Sequence, residues 1–233
     1  MTMRRLFIFF LSCFSIISFA QINVGNDQTV CLDDTAEVIA LLQGGSQGAG
    51  MDTVIAGLHV SNYNPANSTR GWWFQAQSSF SISSIMSSED NTAGISATNQ
   101  SVEIVDFGTN PPLIYPTSTG LHTVLFSAID TVAGWLNCNI QLVSGNYYGI
   151  IGAKHDAGAT TMYNSYGPQG AQTFIIDGNP TIATRLLLQS ALSTGSPIQG
   201  SYMSEISGPI GRVNIITGGG VNWYDVSTGN MIG

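Results

Sequence analysis

The sequence predicts an all-β protein, an antiparallel β-sandwich or jelly roll. Three observations carry that expectation. Beyond residue 50, short segments rich in Val, Ile, Thr and aromatic residues recur between turns built from Gly, Asn and Pro. Their apolar residues fall in pairs two apart, which places both side chains on one face of a strand. No stretch of ten or more residues keeps a clean helical period.

The chain opens with two cations, Arg4 and Arg5, followed by an apolar run over residues 6–19 and a small residue, Ala20, before Gln21. This is the pattern of a secretory signal, residues 1–20. The run is short for a bilayer span, which takes about twenty residues. An uncleaved anchor and a lipoprotein at Cys13 are the competing readings. Removing those 20 of the 233 residues leaves 213, with four basic and 14 acidic side chains and a formal charge of −10. Such a chain is repelled by phosphate backbones, so nucleic acid is not expected as a partner. Location is expected to be secreted or on the outer cell surface, with no transmembrane segment in the mature chain.

Residues 21–50 form a separate N-terminal segment. Alternation over residues 35–40 and the Asn26-Asp27 and Asp33-Asp34 turns suggest two short strands. Residues 43–50, QGGSQGAG, read as a flexible linker. Its glycines lack the spacing of a phosphate-binding loop.

Residues 51–217 carry the sandwich. Strands are expected at 53–59, 71–76, 80–86, 101–107, 123–129, 139–142, 147–153, 160–164, 173–176, 184–189 and 212–217. Asn64-Pro65, Asn110-Pro111-Pro112, Ser144-Gly145-Asn146, Asp177-Gly178-Asn179-Pro180 and Gly195-Ser196-Pro197 mark the turns between them. The expected core is Phe80, Ile82, Val102, Ile104, Val124, Phe126, Ile140, Leu142, Ile150, Phe174, Ile176, Leu186, Leu188, Val213 and Ile215. The strand–turn–strand over 139–153 reads as a central hairpin with Ile140, Leu142 and Ile150 pointing inward. Residues 218–233 begin with three glycines and then start a new strand, as if a further domain followed.

Both ends carry a resemblance. Val24-Gly25-Asn26-Asp27-Gln28-Thr29-Val30-Cys31 resembles the opening of Ig-like or PKD-like repeats in large secreted proteins of gliding bacteria. Val221-Asn222-Trp223-Tyr224-Asp225, with Thr228-Gly229, resembles a strand of the same repeats. The middle looks like β-sandwich modules of such proteins. The resemblance implies partial Ig-like segments flanking the sandwich, in a modular surface protein whose modules are typically non-catalytic.

Metalloprotease, paired-cysteine and EF-hand motifs do not occur in the sequence, and the chain is not expected to be an enzyme. His155-Asp156 with Ser165 or Lys154 could be imagined as a hydrolytic set, but these are common loop residues. Three binding expectations follow. The first is a glycan or protein ligand on exposed aromatic faces, with Trp73, Trp135, Lys154, His155, Asp156, Tyr163 and Tyr166 as candidates and residues 154–158 as the binding edge. Trp72 and Trp73 are adjacent on a strand, so they point to opposite faces and at most one is core. The second is Ca²⁺ held by carboxylates such as Glu89, Asp90 and Asp156. The third is a disulfide between Cys31 and Cys138, the one intrachain pairing left after the signal; Cys138 as a small core residue is the alternative. The expected function is a non-catalytic recognition, adhesion or structural module, or else a carbohydrate-binding module serving a secreted enzyme.

Overall fold

The computed structural model describes residues 40–41, 52–90, 97–195, 201–218 and 222–223. In chain order the strands are β1 (Ala40–Leu41), β2 (Asp52–Val54), β3 (Ser61–Tyr63), β4 (Thr69–Gln75), β5 (Phe80–Ser87) and β6 (Asn99–Gly108). They continue with β7 (Thr123–Val132), β8 (Leu136–Leu142), β9 (Tyr147–His155), β10 (Asn164–Gln169), β11 (Gln172–Ile176) and β12 (Asn179–Leu188). A 3-10 turn at Leu192–Thr194 precedes β13 (Tyr202–Glu205), β14 (Pro209–Gly211), β15 (Val213–Thr217) and β16 (Asn222–Trp223). The protein is an all-β sandwich of antiparallel sheets.

One layer is a four-stranded sheet in the order β2-β15-β5-β8. The other is a seven-stranded sheet, β11-β12-β4-β9-β6-β7, in which β13 also pairs with β12. A three-stranded sheet, β14-β10-β3, stands beside them. The short strands β1 and β16 pair antiparallel, so the segments before and after the sandwich meet in one ladder.

Alternation along each strand decides what is buried where. Trp72 and Phe74 of β4, Val102 and Ile104 of β6, and Tyr148 and Ile150 of β9 pack against Ile82, Ile85, Leu142, Val213 and Ile215 from the smaller sheet. The intervening residues form a second core on the opposite face: Val105, Phe107, Ile151, Leu186 and Leu188, joined by Leu192 and Tyr202. The middle of the larger sheet is therefore covered on both faces. That is why β9 reads as a continuous apolar run over residues 147–153 instead of an alternating one.

The expected core residues all lie in these two cores or pack at their edges, except Val124, which is half-buried on β7. The hairpin expectation needs correction. β8 pairs with β5 in the small sheet, whereas β9 pairs with β4 and β6 in the large one. The Ser144-Gly145-Asn146 turn crosses between layers, and the Val143 N–H donates to the Tyr148 phenol oxygen at 2.8 Å to hold it. Ile140, Leu142 and Ile150 still meet, because they approach the same core from its two walls. The strand expected at 160–164 starts only at Asn164, and the one at 53–59 stops at Val54. β3, β13 and β14 are three or four residues long and carry too little alternation to be legible. The Asp177-Gly178 turn closes the β11–β12 hairpin, with both residues at positive φ, 50° and 74°. That is the two-residue geometry whose twist matches paired strands.

Candidate functional site

The second face of the larger sheet is covered along only part of its length. On β12, Leu186 and Leu188 are buried, yet Ile182 on the same face is 64% exposed. The loop over 109–122 covers the buried end by bonding to β13: Ser204 N–H donates to the Leu113 carbonyl at 2.7 Å, and Thr119 N–H to the Tyr202 carbonyl at 2.7 Å. Beyond that cover the sheet surface opens into a groove of about 370 Å³, a volume in the range of small-ligand sites.

Trp73 and Tyr147 form the groove's aromatic part, with ring centroids 5.8 Å apart and planes at 56°. Trp73 turns outward because Trp72, its neighbour on β4, is fully buried and donates its indole N–H to the Val213 carbonyl at 2.9 Å. Trp73 lies across from Thr184 of β12 and Gly149 of β9. Gly149 leaves the space that Phe107 and Leu186 fill; a Cβ there would lie 2.9 Å and 2.7 Å from their side chains. The Trp73 indole N–H donates to Ser204 Oγ at 2.9 Å, which fixes the ring's orientation.

The groove walls are uncharged. Gln75 donates through Nε2 to the Gly145 carbonyl at 2.9 Å, and Gln77 Nε2 to the Gln75 carbonyl at 3.1 Å. Both bonds use the amide nitrogens, so the oxygens are left to accept from a ligand. Pro180, Ile182 and Thr184 line the β12 side. Ser78 Oγ donates to Asp177 Oδ2 at 2.7 Å and accepts from Asn179 Nδ2 at 3.2 Å. These two bonds tie the turn after β4 to the β11–β12 turn and hold the mouth in shape.

Of the residues singled out from sequence, only Trp73 lies in this groove. Lys154, His155 and Asp156 sit at the far end of β9 from Tyr147, roughly 25 Å away along the strand at about 3.3 Å per residue. His155 is fully buried. Its Nδ1 donates to the Asp156 carbonyl at 2.9 Å, its Nε2 meets Ser101 Oγ at 2.8 Å, and Asp130 Oδ1 lies 3.7 Å from Nδ1. Ser, His and Asp thus line up in the order of a hydrolytic triad. Ser101, however, is as buried as the histidine, and its Oγ already accepts the Asp130 N–H at 2.9 Å. No substrate reaches it, and the network instead joins β6, β7 and β9.

Tyr163 donates its hydroxyl to Asp156 Oδ2 at 3.1 Å. Tyr166 is buried, stacked on Tyr63 at 5.6 Å, and accepts a hydrogen bond from Arg185 Nη2 at 2.7 Å. It supports the three-stranded sheet and offers no open face. Trp135, 41% exposed, stands alone in the turn between β7 and β8.

Ser165 does not meet His155 at all. It donates to Asp90 Oδ1 at 2.6 Å and contacts His59 Nδ1 at 2.9 Å. Asp90 also pairs with the buried guanidinium of Arg212 and accepts from Ser88 Oγ at 2.7 Å. Its carboxylate is thereby committed to protein partners, and Asp156 serves Tyr163. No three acidic, histidine or cysteine side chains group for a metal ion among the described residues. Cys138 sits half-buried on β8, its S–H directed to the Ile82 carbonyl at 3.4 Å, and burial pushes the thiol pKa up to about 11. Its expected partner, Cys31, lies outside the described residues.

Sequence reasoning missed Tyr147, Gln75, Gln77, Ile182 and Thr184. Alternation from Trp73 points to Gln75 and one step on to Gln77, but Tyr147, Ile182 and Thr184 come from strands whose register only the folded sheet fixes. No helix among the described residues is long and apolar enough to cross a membrane. Comparison with known families and with curated proteins finds no match to this chain.

Proposed function

We propose that this chain is a secreted or cell-surface recognition module, non-catalytic, whose ligand is an extracellular glycan seated in the Trp73–Tyr147 groove. The observation that carries the reading is the groove itself: two partly open aromatic rings beside two primary amides on a rigid sheet. Aromatic faces gain by burying the C–H surface of a sugar ring, while amides satisfy its hydroxyls in both directions. The apparent secretory signal at 1–20 and the Ig-like resemblance at both ends support a surface location in a modular protein.

A glycan array probed with the full chain and with Trp73→Ala tests the proposal. Binding by the parent that falls at least about tenfold in the variant, with melting behaviour retained, is the expected result. Binding unchanged by the substitution would remove the groove from the function.

A further inference from the structure

Taking the groove as the glycan site, we infer that its ligand is an uncharged polysaccharide chain, and that uronic-acid polymers are excluded. The first ground is charge. Trp73, Gln75, Gln77, Pro180, Ile182 and Thr184 line the groove with Tyr147, and none is an acid, a lysine, an arginine or a histidine. A carboxylate-bearing sugar would give up hydration there without gaining a cation. The only guanidinium groups in the described chain are engaged elsewhere: Arg70 on the Thr69 and Leu188 carbonyls, Arg185 on Glu205 and Arg212 on Asp90. The chain's overall charge of −8 adds a repulsive field for any polyanion.

The second ground is the polar groups. The β4–β12 ladder ends at the Trp73–Thr184 pair, and beyond it Gln75 and Gln77 line the groove. Their Nε2 groups are engaged on the Gly145 and Gln75 carbonyls, so what they turn to a ligand is amide oxygen, which accepts from a neutral sugar's hydroxyls and offers a carboxylate nothing.

The third ground is extent. Ile182 is 64% exposed and Ile175, on the neighbouring edge strand, 55%. Thr173 pairs with Ile182 and Ile175 with Pro180, so both isoleucines continue the same face outward from the rings. This apolar shelf fits a chain longer than the residue held at Trp73, and longer oligomers are expected to bind more tightly.

The test uses affinity electrophoresis and calorimetry on the full chain. Neutral polymers (a β-1,4-glucan, a β-1,4-mannan and an α-1,4-glucan) are compared with alginate and polygalacturonate at about 50 and about 500 mM NaCl, a range that largely screens exposed charges. We expect binding to at least one neutral polymer, less than about a twofold change with salt, and a loss of about tenfold or more in both Trp73→Ala and a second groove variant, Gln75→Ala. Salt-sensitive binding to a uronate polymer that Trp73→Ala abolishes would overturn the charge inference and leave the groove standing. Binding to any polymer that neither variant alters would overturn both. No binding to any neutral polymer would overturn the inference.

Discussion

Trp72 and Trp73 are neighbours on one strand, and replacing each by alanine should give opposite outcomes. Trp72 is fully buried, packed against Phe74 and Phe174 at 5.4 and 5.6 Å, and supplies the hydrogen bond to Val213 that links the two sheets. Truncating a buried tryptophan costs about 3–5 kcal/mol in lost transfer energy and cavity. The orphaned Val213 carbonyl adds about 1 kcal/mol. At roughly 2–4 °C per kcal/mol for a chain of this size, Trp72→Ala should lower Tm by about 8–24 °C. Trp73 lies partly open in the groove, and its loss removes one hydrogen bond to Ser204 and part of one ring contact. Trp73→Ala should cost about 1–2 kcal/mol, or roughly 2–8 °C. Thermal unfolding followed by circular dichroism, with a glycan-binding assay alongside, reads both effects. Equal Tm losses for the two variants, or a larger loss for Trp73→Ala, would refute the assignment of faces.

Gly71→Ala should destabilise by about 3 kcal/mol or more, because its new Cβ would overlap the Ile150 carbonyl and lie 2.6 Å from Ile151 Cα, backbone atoms that cannot swing aside; chemical denaturation measures it. Cys138, with its pKa near 11, should react with iodoacetamide at pH 8 roughly a hundredfold more slowly than a free cysteine, and mass spectrometry of the native protein checks this. Burial holds the Tyr202 phenol well above its usual pKa of 10, reinforced by Glu103, to which it donates at 2.5 Å. The unfolded chain therefore releases this proton first, so stability should fall as pH rises above about 10, and Tyr202→Phe should flatten that limb. Burial depresses His122, so the unfolded state binds a proton that the folded state resists. Stability should then fall as pH drops below about 6.5, and His122→Gln should weaken the fall in a pH series of melting curves.

The extended strands were legible because each obeys a local rule. Ile82, Val102, Ile104, Val213 and Ile215 occupy alternate positions on segments bounded by turn formers, and all are buried. The opposition of Trp72 and Trp73 follows from the two-residue period alone. The candidate site was mostly illegible. His155 and Asp156 looked like surface loop chemistry, but β9 runs on to His155 and carries it under β6 and β7. Tyr166 looked like an open platform until β3 placed Tyr63 across its face.

The sequence by itself determined the class of fold, the core-facing half of most strands, and that the two tryptophans of the pair point to opposite faces. These depend on pleating and burial within a few residues. Only the tertiary structure decided that β8 and β9 part into different sheets, and that β4, β9 and β12 stand side by side. Pairing partners are chosen by contacts between segments far apart in the chain, as with Trp73 and Thr184, and no local period encodes that choice. The groove exists because those three strands meet where the covering loop stops short, leaving Trp73 and Tyr147 partly open to solvent.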